Sequence, residues 1–158
     1  MIQRFQSCLL AVLLLFISSQ LIAQQISNLG SYDGIDNGAV RTFAKDSMGY
    51  MWIGTSMGLS RFSGSLFKSY KFSEHNEGIV DLLSDLNGFY ALESSGNILK
   101  YDYEKDRINK LKKIIHAPAL SFDFIDEETL IIGLQQGLII FNTKFLEFSD
   151  ILSPESLF

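Results

Sequence analysis

From residue 40 onward the chain is written in short apolar runs, each closed by a turn signal. The most informative stretch is 46–64, D-S-M-G-Y-M-W-I-G-T-S-M-G-L-S-R-F-S-G. Two runs, 50–55 and 59–62, sit between turns at Asp46–Gly49, Ser56-Met57-Gly58 and Ser63-Gly64, so the stretch reads as strand, reversal, strand. An aspartate carboxylate can bond backbone N–H groups inside such a turn, and glycine accepts the positive φ that closes it. Tyr50, Trp52 and Gly54 alternate onto one face and Met51, Ile53 and Thr55 onto the other. Both faces are largely apolar, which predicts a sheet covered on two sides. Gly54 in mid-run predicts close approach of a neighbouring backbone. Residues 40–45 predict a preceding strand with Val40, Thr42 and Ala44 on one face. Residues 66–72 predict a following one, in which Leu66, Lys68 and Tyr70 alternate against Phe67, Ser69 and Lys71. One unit of four strands therefore fills 40–72.

The same plan recurs. A second copy runs through 79–85, the turn Asp85-Leu86-Asn87-Gly88, 89–93, the turn Ser94-Ser95-Gly96, and 98–101. Asp85 and Gly88 repeat the spacing of Asp46 and Gly49, which puts Ala91 at the position of Trp52. A third copy runs through 121–125, the turn opened by Asp126, 130–134, Gln135-Gln136-Gly137 and 138–141. Gly133, Gly137 and Phe141 repeat the spacing of Gly54, Gly58 and Phe62. Residues 107–115 and 144–148 supply outer strands for the second and third copies. The glycines Gly58, Gly96 and Gly137 lie 38 and 41 residues apart, close to the ~40–45 residues of a four-stranded propeller blade. The expected organisation is a targeting segment over 1–23, an opening strand and turn over 24–39, and blades over 40–78, 79–117 and 118–149, with a tail over 150–158. The fold class is all-β. Propellers close with ~4–8 blades, so three predict an incomplete ring and a chain that is the N-terminal part of a longer protein.

The pattern D-x-x-G-x-x-W-x-G-T-x-x-G-L-x-R-F-x-G resembles the two-component regulator propeller repeat. It is carried by Asp46, Gly49, Trp52, Gly54, Thr55, Gly58, Leu59, Arg61, Phe62 and Gly64. The preceding D-G-I-D-N-G-A-V, residues 33–40, resembles the segment that commonly opens such sensors. The resemblance implies the periplasmic sensor region of a hybrid two-component system or a related propeller-bearing regulator. It also implies a ligand, a small molecule or a glycan breakdown product, whose signal crosses the membrane to a kinase or DNA-binding output. The matched positions, with Asp85, Gly88, Gly96, Asp126, Gly133 and Gly137 in the later copies, are blade-building ones, so no ligand residue is carried over.

Residues 1–23 have the parts of a secretory signal peptide. Arg4 is their only charge, 9–17 is unbroken apolar sequence, and Ala23-Gln24 follows a polar dip. The apolar stretch is shorter than the ~20 residues of a membrane span. The single cysteine, Cys8, lies inside this segment, so the mature chain has neither disulfides nor thiolate metal sites. The formal net charge is −5, and loss of Arg4 makes it one unit more acidic. An acidic chain without a basic stripe is a poor partner for nucleic acid.

Little in the composition points to catalysis. His75 and His116 are the only histidines, and neither has a second ligand at metal spacing. No nucleophile elbow, phosphate loop or dinucleotide fingerprint is present. Asp46, Asp85 and Asp126 open equivalent turns and would be dispersed at blade spacing, which favours capping over a convergent carboxylate set. Trp52 reads either as a sugar-stacking ring or as a residue buried between blades, and its apolar neighbours favour burial. Arg61 reads as bonding the backbone or carboxylates of an adjacent blade, with contact to a bound ligand as the lesser alternative. Neither a cofactor nor an enzyme activity is expected. The other partners expected are further blades or a second chain, with no membrane span in the mature protein. A surface scaffold and a propeller enzyme are the remaining alternatives to a sensor.

Overall fold

The structure, a computed structural model, describes residues 34–35, 38–72, 77–86, 88–114 and 118–149. The expected signal segment, most of the opening strand and turn over 24–39, and the tail lie outside them. The described residues form twelve strands and no helix. The first sheet holds β1 (Val40–Lys45), β2 (Met51–Thr55), β3 (Gly58–Phe62) and β4 (Phe67–Tyr70). The second holds β5 (Ile79–Asp85), β6 (Gly88–Glu93), β7 (Asn97–Asp102) and β8 (Arg107–Lys113). The third holds β9 (Ala119–Asp126), β10 (Thr129–Leu134), β11 (Gly137–Asn142) and β12 (Glu147–Phe148). Within each sheet the strands pair antiparallel in chain order. These are three propeller blades in an open arrangement, as the recurrence of turns in the sequence predicts.

Successive blades meet through their first strands: β1 touches β5, and β5 touches β9. Blade faces then pack on one another and divide the core into two seams. The seam between blades 1 and 2 buries Trp52, Leu59, Tyr70, Ile79, Leu82, Phe89, Ala91, Leu99 and Tyr101. The seam between blades 2 and 3 buries Tyr90, Leu92, Ile98, Phe122, Leu130, Ile132 and Phe141 among others. Blade 2 contributes to both, so β6 is buried along its whole length and reads as a continuous apolar run rather than an alternating one.

The strand ladders set the correspondence between blades and correct one expectation. Trp52 lies opposite Ala44 and Arg61. Its counterpart in blade 2 is Tyr90, opposite Leu83 and Lys100, not Ala91. The reversal between β5 and β6 is one residue shorter than that between β1 and β2. Asp85 pairs directly with Gly88, whereas Asp46 and Tyr50 close a wider turn through the Asp46 N–H and the Tyr50 carbonyl. Spacing counted from the aspartate therefore slips by one on the next strand, and in a β-strand a slip of one exchanges the faces. Ala91 packs toward blade 1 and Tyr90 toward blade 3. In blade 3 the corresponding residue is Ile131, opposite Asp123 and Ile140.

Gly54 and Gly133 hold equivalent places, and the structure separates their roles. A Cβ on Gly54 would stand 2.7 Å from Ile79 Cγ2, across the seam in blade 2, and 2.7 Å from Thr42 Cγ2. A Cβ on Gly133 would meet only the Ser121 hydroxyl at 3.1 Å and its carbonyl at 3.8 Å. The outward face of blade 1 carries Val40 and Phe43, the latter 72% exposed, and by register also the stacked rings of Phe62 and Phe67. Such an open apolar face is what a further blade or partner chain would cover. Overpacking a filled site costs about 1–3 kcal/mol. Gly54→Ala should therefore destabilise the chain by that amount in denaturant unfolding, while Gly133→Ala should change stability by less than about 1 kcal/mol. Equal effects at the two positions would contradict the seam geometry.

Candidate functional site: the seams between blades

The first seam is built on Asp46 and Trp52. Asp46 Oδ1 accepts the N–H groups of Met48 at 3.0 Å and Tyr50 at 2.9 Å, and Oδ2 accepts the indole N–H of Trp52 at 2.7 Å. The turn carboxylate thus also fixes the ring that fills the seam. Trp52 is fully buried, stacked on Phe89 with centroids 4.2 Å apart and edged by Tyr101 at 4.8 Å and Tyr70 at 5.2 Å. No ring face is left for a sugar, and burial is the reading that holds. The other two turn aspartates cap as expected and are not drawn together: Asp85 accepts the Gly88 N–H at 2.9 Å and Asp126 the Glu128 N–H at 2.9 Å. Gly49 and Gly96 take positive φ in their turns (88° and 87°), while Thr55 caps the β2–β3 turn through the Met57 N–H at 3.1 Å.

Arg61 closes the rim of this seam. Its guanidinium lies 4.3 Å from the Tyr50 ring centroid, bonds the Tyr101 hydroxyl, and reaches Asp106 of blade 2 at 3.3 Å. Asp106 is the anchor of the cluster. It accepts the hydroxyls of Tyr70 and Tyr101, each at 2.6 Å, and the Lys68 ammonium. It stands last in the turn 103–106 between β7 and β8, at a positive φ of 47°, a conformation that aspartate tolerates better than most side chains. Partial burial acts to raise its pKa, but hydrogen bonds from Lys68, Tyr101 and Tyr70 and the charge of Arg61 outweigh it and hold the carboxyl well below the usual 3.8. Burial and the same carboxylate push the Tyr70 and Tyr101 phenols up. Burial, with the Asp46 charge beside it, pushes Tyr103 up to about 12. The sequence reading anticipated Arg61 bonding a carboxylate of the adjacent blade, but it missed that partner. The signal for it was the aspartate ending the D-Y-E-K-D reversal.

The second seam lacks this clasp. Lys100 stands where Arg61 does, opposite Tyr90, and Asn109 where Lys68 does. Phe141 replaces Tyr101 and Leu146 replaces Asp106, again last in its turn and at positive φ, 56°. A cleft of about 300 Å³ opens there, lined by Tyr90, Lys100, Glu127, Glu128, Thr143 and Lys144.

A third polar feature lies at the other end of blade 2. Glu93 occupies the place of Thr55 and Leu134 and is fully buried. Oε2 accepts the Ser95 hydroxyl at 2.9 Å and the Asn97 amide, while Oε1 has no partner. Among the described residues no group of three or more histidine, cysteine, aspartate or glutamate side chains is placed to hold a metal ion.

No protein-family model matches the sequence, and no curated protein matches it. Solved structures do. The extracellular domain of one putative hybrid two-component system of B. thetaiotaomicron superposes with a TM-score of 0.69 at 16% identity, over 82% of this chain and 20% of that one. A second from the same organism gives 0.72 at 17% identity, over 86% and 19%. The Neurospora crassa Pan2 WD40 domain gives 0.58 at 20% identity, over 73% and 38%. The chain spans about a fifth of the length of the two extracellular domains.

A group whose pKa falls on folding contributes stability that is present above its unfolded value and is lost as pH drops through the folded one. Wild-type protein should therefore exceed Asp106→Asn in melting temperature at pH 7, and the difference should narrow below about pH 4. A difference that persists unchanged to pH 2 would remove the carboxylate from the account. The chain carries the blade fold of the bacterial extracellular domains it resembles, three blades of it, joined by one clasped seam and one open seam.

Proposed function

We propose that the chain supplies blades to an extracytoplasmic propeller sensor domain that detects a ligand, a glycan fragment or other small molecule, and feeds a two-component or related transcriptional pathway. The observation that carries the reading is the likeness of the fold to extracellular domains of putative hybrid two-component systems, taken with the repeat motif around Trp52. An N-terminal segment built like a signal peptide agrees with it. On this reading further blades or a partner chain would cover the open apolar face of blade 1. The turn aspartates each cap their own turn, and the ionisable groups of the first seam are engaged with one another.

Alkaline phosphatase fused after residue 158 tests export, because that enzyme matures only outside the cytoplasm. The fusion should be active, and the exported chain should begin at Gln24 by intact mass. Deleting the gene and comparing transcripts during growth on single polysaccharides tests sensing. Loss of induction of one polysaccharide-responsive locus is expected. An inactive fusion, or transcripts unchanged on every polysaccharide, would overturn the sensor reading.

A further inference from the structure

The two seams present one design in two states. In the first, the cation on the third strand of blade 1, Arg61, is met by the carboxylate of Asp106 in the outer turn of blade 2. In the second, the cation on the third strand of blade 2, Lys100, meets no carboxylate, because Leu146 stands in the outer turn of blade 3. Its ammonium lies 5.0 Å from the Tyr90 ring centroid, and a Cβ on Gly88 would be 3.2 Å from its Cε. Among the described residues it has no ion pair and no hydrogen bond. Lys100 is half-buried, and the Tyr90 ring face gives it a cation–π contact in place of the carboxylate that Arg61 has. The remaining clasp partners are gone as well: the hydroxyl of Tyr101 is absent from Phe141, and the ammonium of Lys68 becomes the amide of Asn109.

The space left by the clasp is not apolar. The cleft is bounded by Glu127, Glu128 and Thr143 as well as Lys100. Lys144 is already paired with Glu128 at 3.0 Å, so Lys100 is the cation left to receive an anion. Two glutamates at the rim disfavour a bare anion, but their oxygens and the Thr143 hydroxyl are acceptors for ligand hydroxyls. A volume of about 300 Å³ admits one ring-sized molecule.

We propose that this cleft binds a small polyhydroxylated carboxylate. Its carboxylate takes on Lys100 the place Asp106 takes on Arg61, and its hydroxyls donate to Glu127 and Glu128. The site differs from the repeat's blade-building positions, and the proposal concerns binding alone, so it stands whether or not the protein signals. D-glucuronate and D-glucose are the probes, since they share a ring and hydroxyls and differ by the carboxylate. Saturation-transfer NMR and calorimetry on the full chain should show glucuronate binding and none for glucose at the same concentration. Lys100→Met keeps the alkyl stem over Tyr90 and should weaken glucuronate at least tenfold. Leu146→Asp restores the clasp from within. It should raise the melting temperature, since aspartate suits the positive φ better than leucine, and should abolish glucuronate binding. Asp106→Asn, in the other seam, should leave it intact. Failure of the native chain to bind glucuronate, equal binding of glucose, or binding that survives Lys100→Met would overturn the proposal.

Discussion

One indole held by one carboxylate fixes the relation between the first two blades. Trp52 has neighbours from both: Tyr70 from its own sheet, Phe89 and Tyr101 from the next. A tryptophan buries roughly 150–250 Å², worth about 4–6 kcal/mol at 25 cal/mol per Å², and two of its three ring partners lie across the seam. The bond from its N–H to Asp46 sets the ring plane. Asp46 is itself nearly buried, and its three hydrogen bonds offset the cost of desolvating the charge. The β1–β2 turn of blade 1 is consequently part of the seam rather than a surface reversal.

Around that centre the blades diverge in step. Where the first seam has Trp52, Arg61 and Asp106, the second has Tyr90, Lys100 and Leu146, and each change removes a polar tie. The second seam is held by packing of Leu92, Ile98, Leu130 and Ile132 with Tyr90, Phe122 and Phe141 and by the Phe122 N–H donating to Asp81 at 3.1 Å, and it leaves a cleft at its rim. Glu93 departs from the repeat in the opposite direction, placing a carboxylate where blade 3 has Leu134. An unpaired buried oxygen there is costly, and it marks the end of blade 2 opposite the clasp as a second polar exception.

The repeat was legible in the sequence because blades are written locally. Each four-stranded unit shows its turns as Asp, Gly and Ser at fixed offsets and its strands as short apolar runs. Capping by Asp46, burial of Trp52 and the reach of Arg61 followed from those positions and from alternation. Two things did not. The shorter β5–β6 turn of blade 2 shifted Tyr90 into the place assigned to Ala91, since spacing does not reveal how many residues a turn consumes. Asp106 and Lys100 were invisible because their meaning lies in the register of one blade against another, a contact between residues some forty positions apart. Only after the ladders align the seams does Leu146 read as the absence of a carboxylate.

The central claim is that Trp52 couples blades 1 and 2 into one cooperative unit. Hydrogen exchange on Trp52→Ala, compared strand by strand with the native chain, tests it most directly. Protection is expected to fall together in β2, β3, β6 and β7, because removing the ring opens both faces of the seam, while β10 and β11 keep theirs. Loss confined to β2 and β3, with β6 and β7 protected as before, would contradict it.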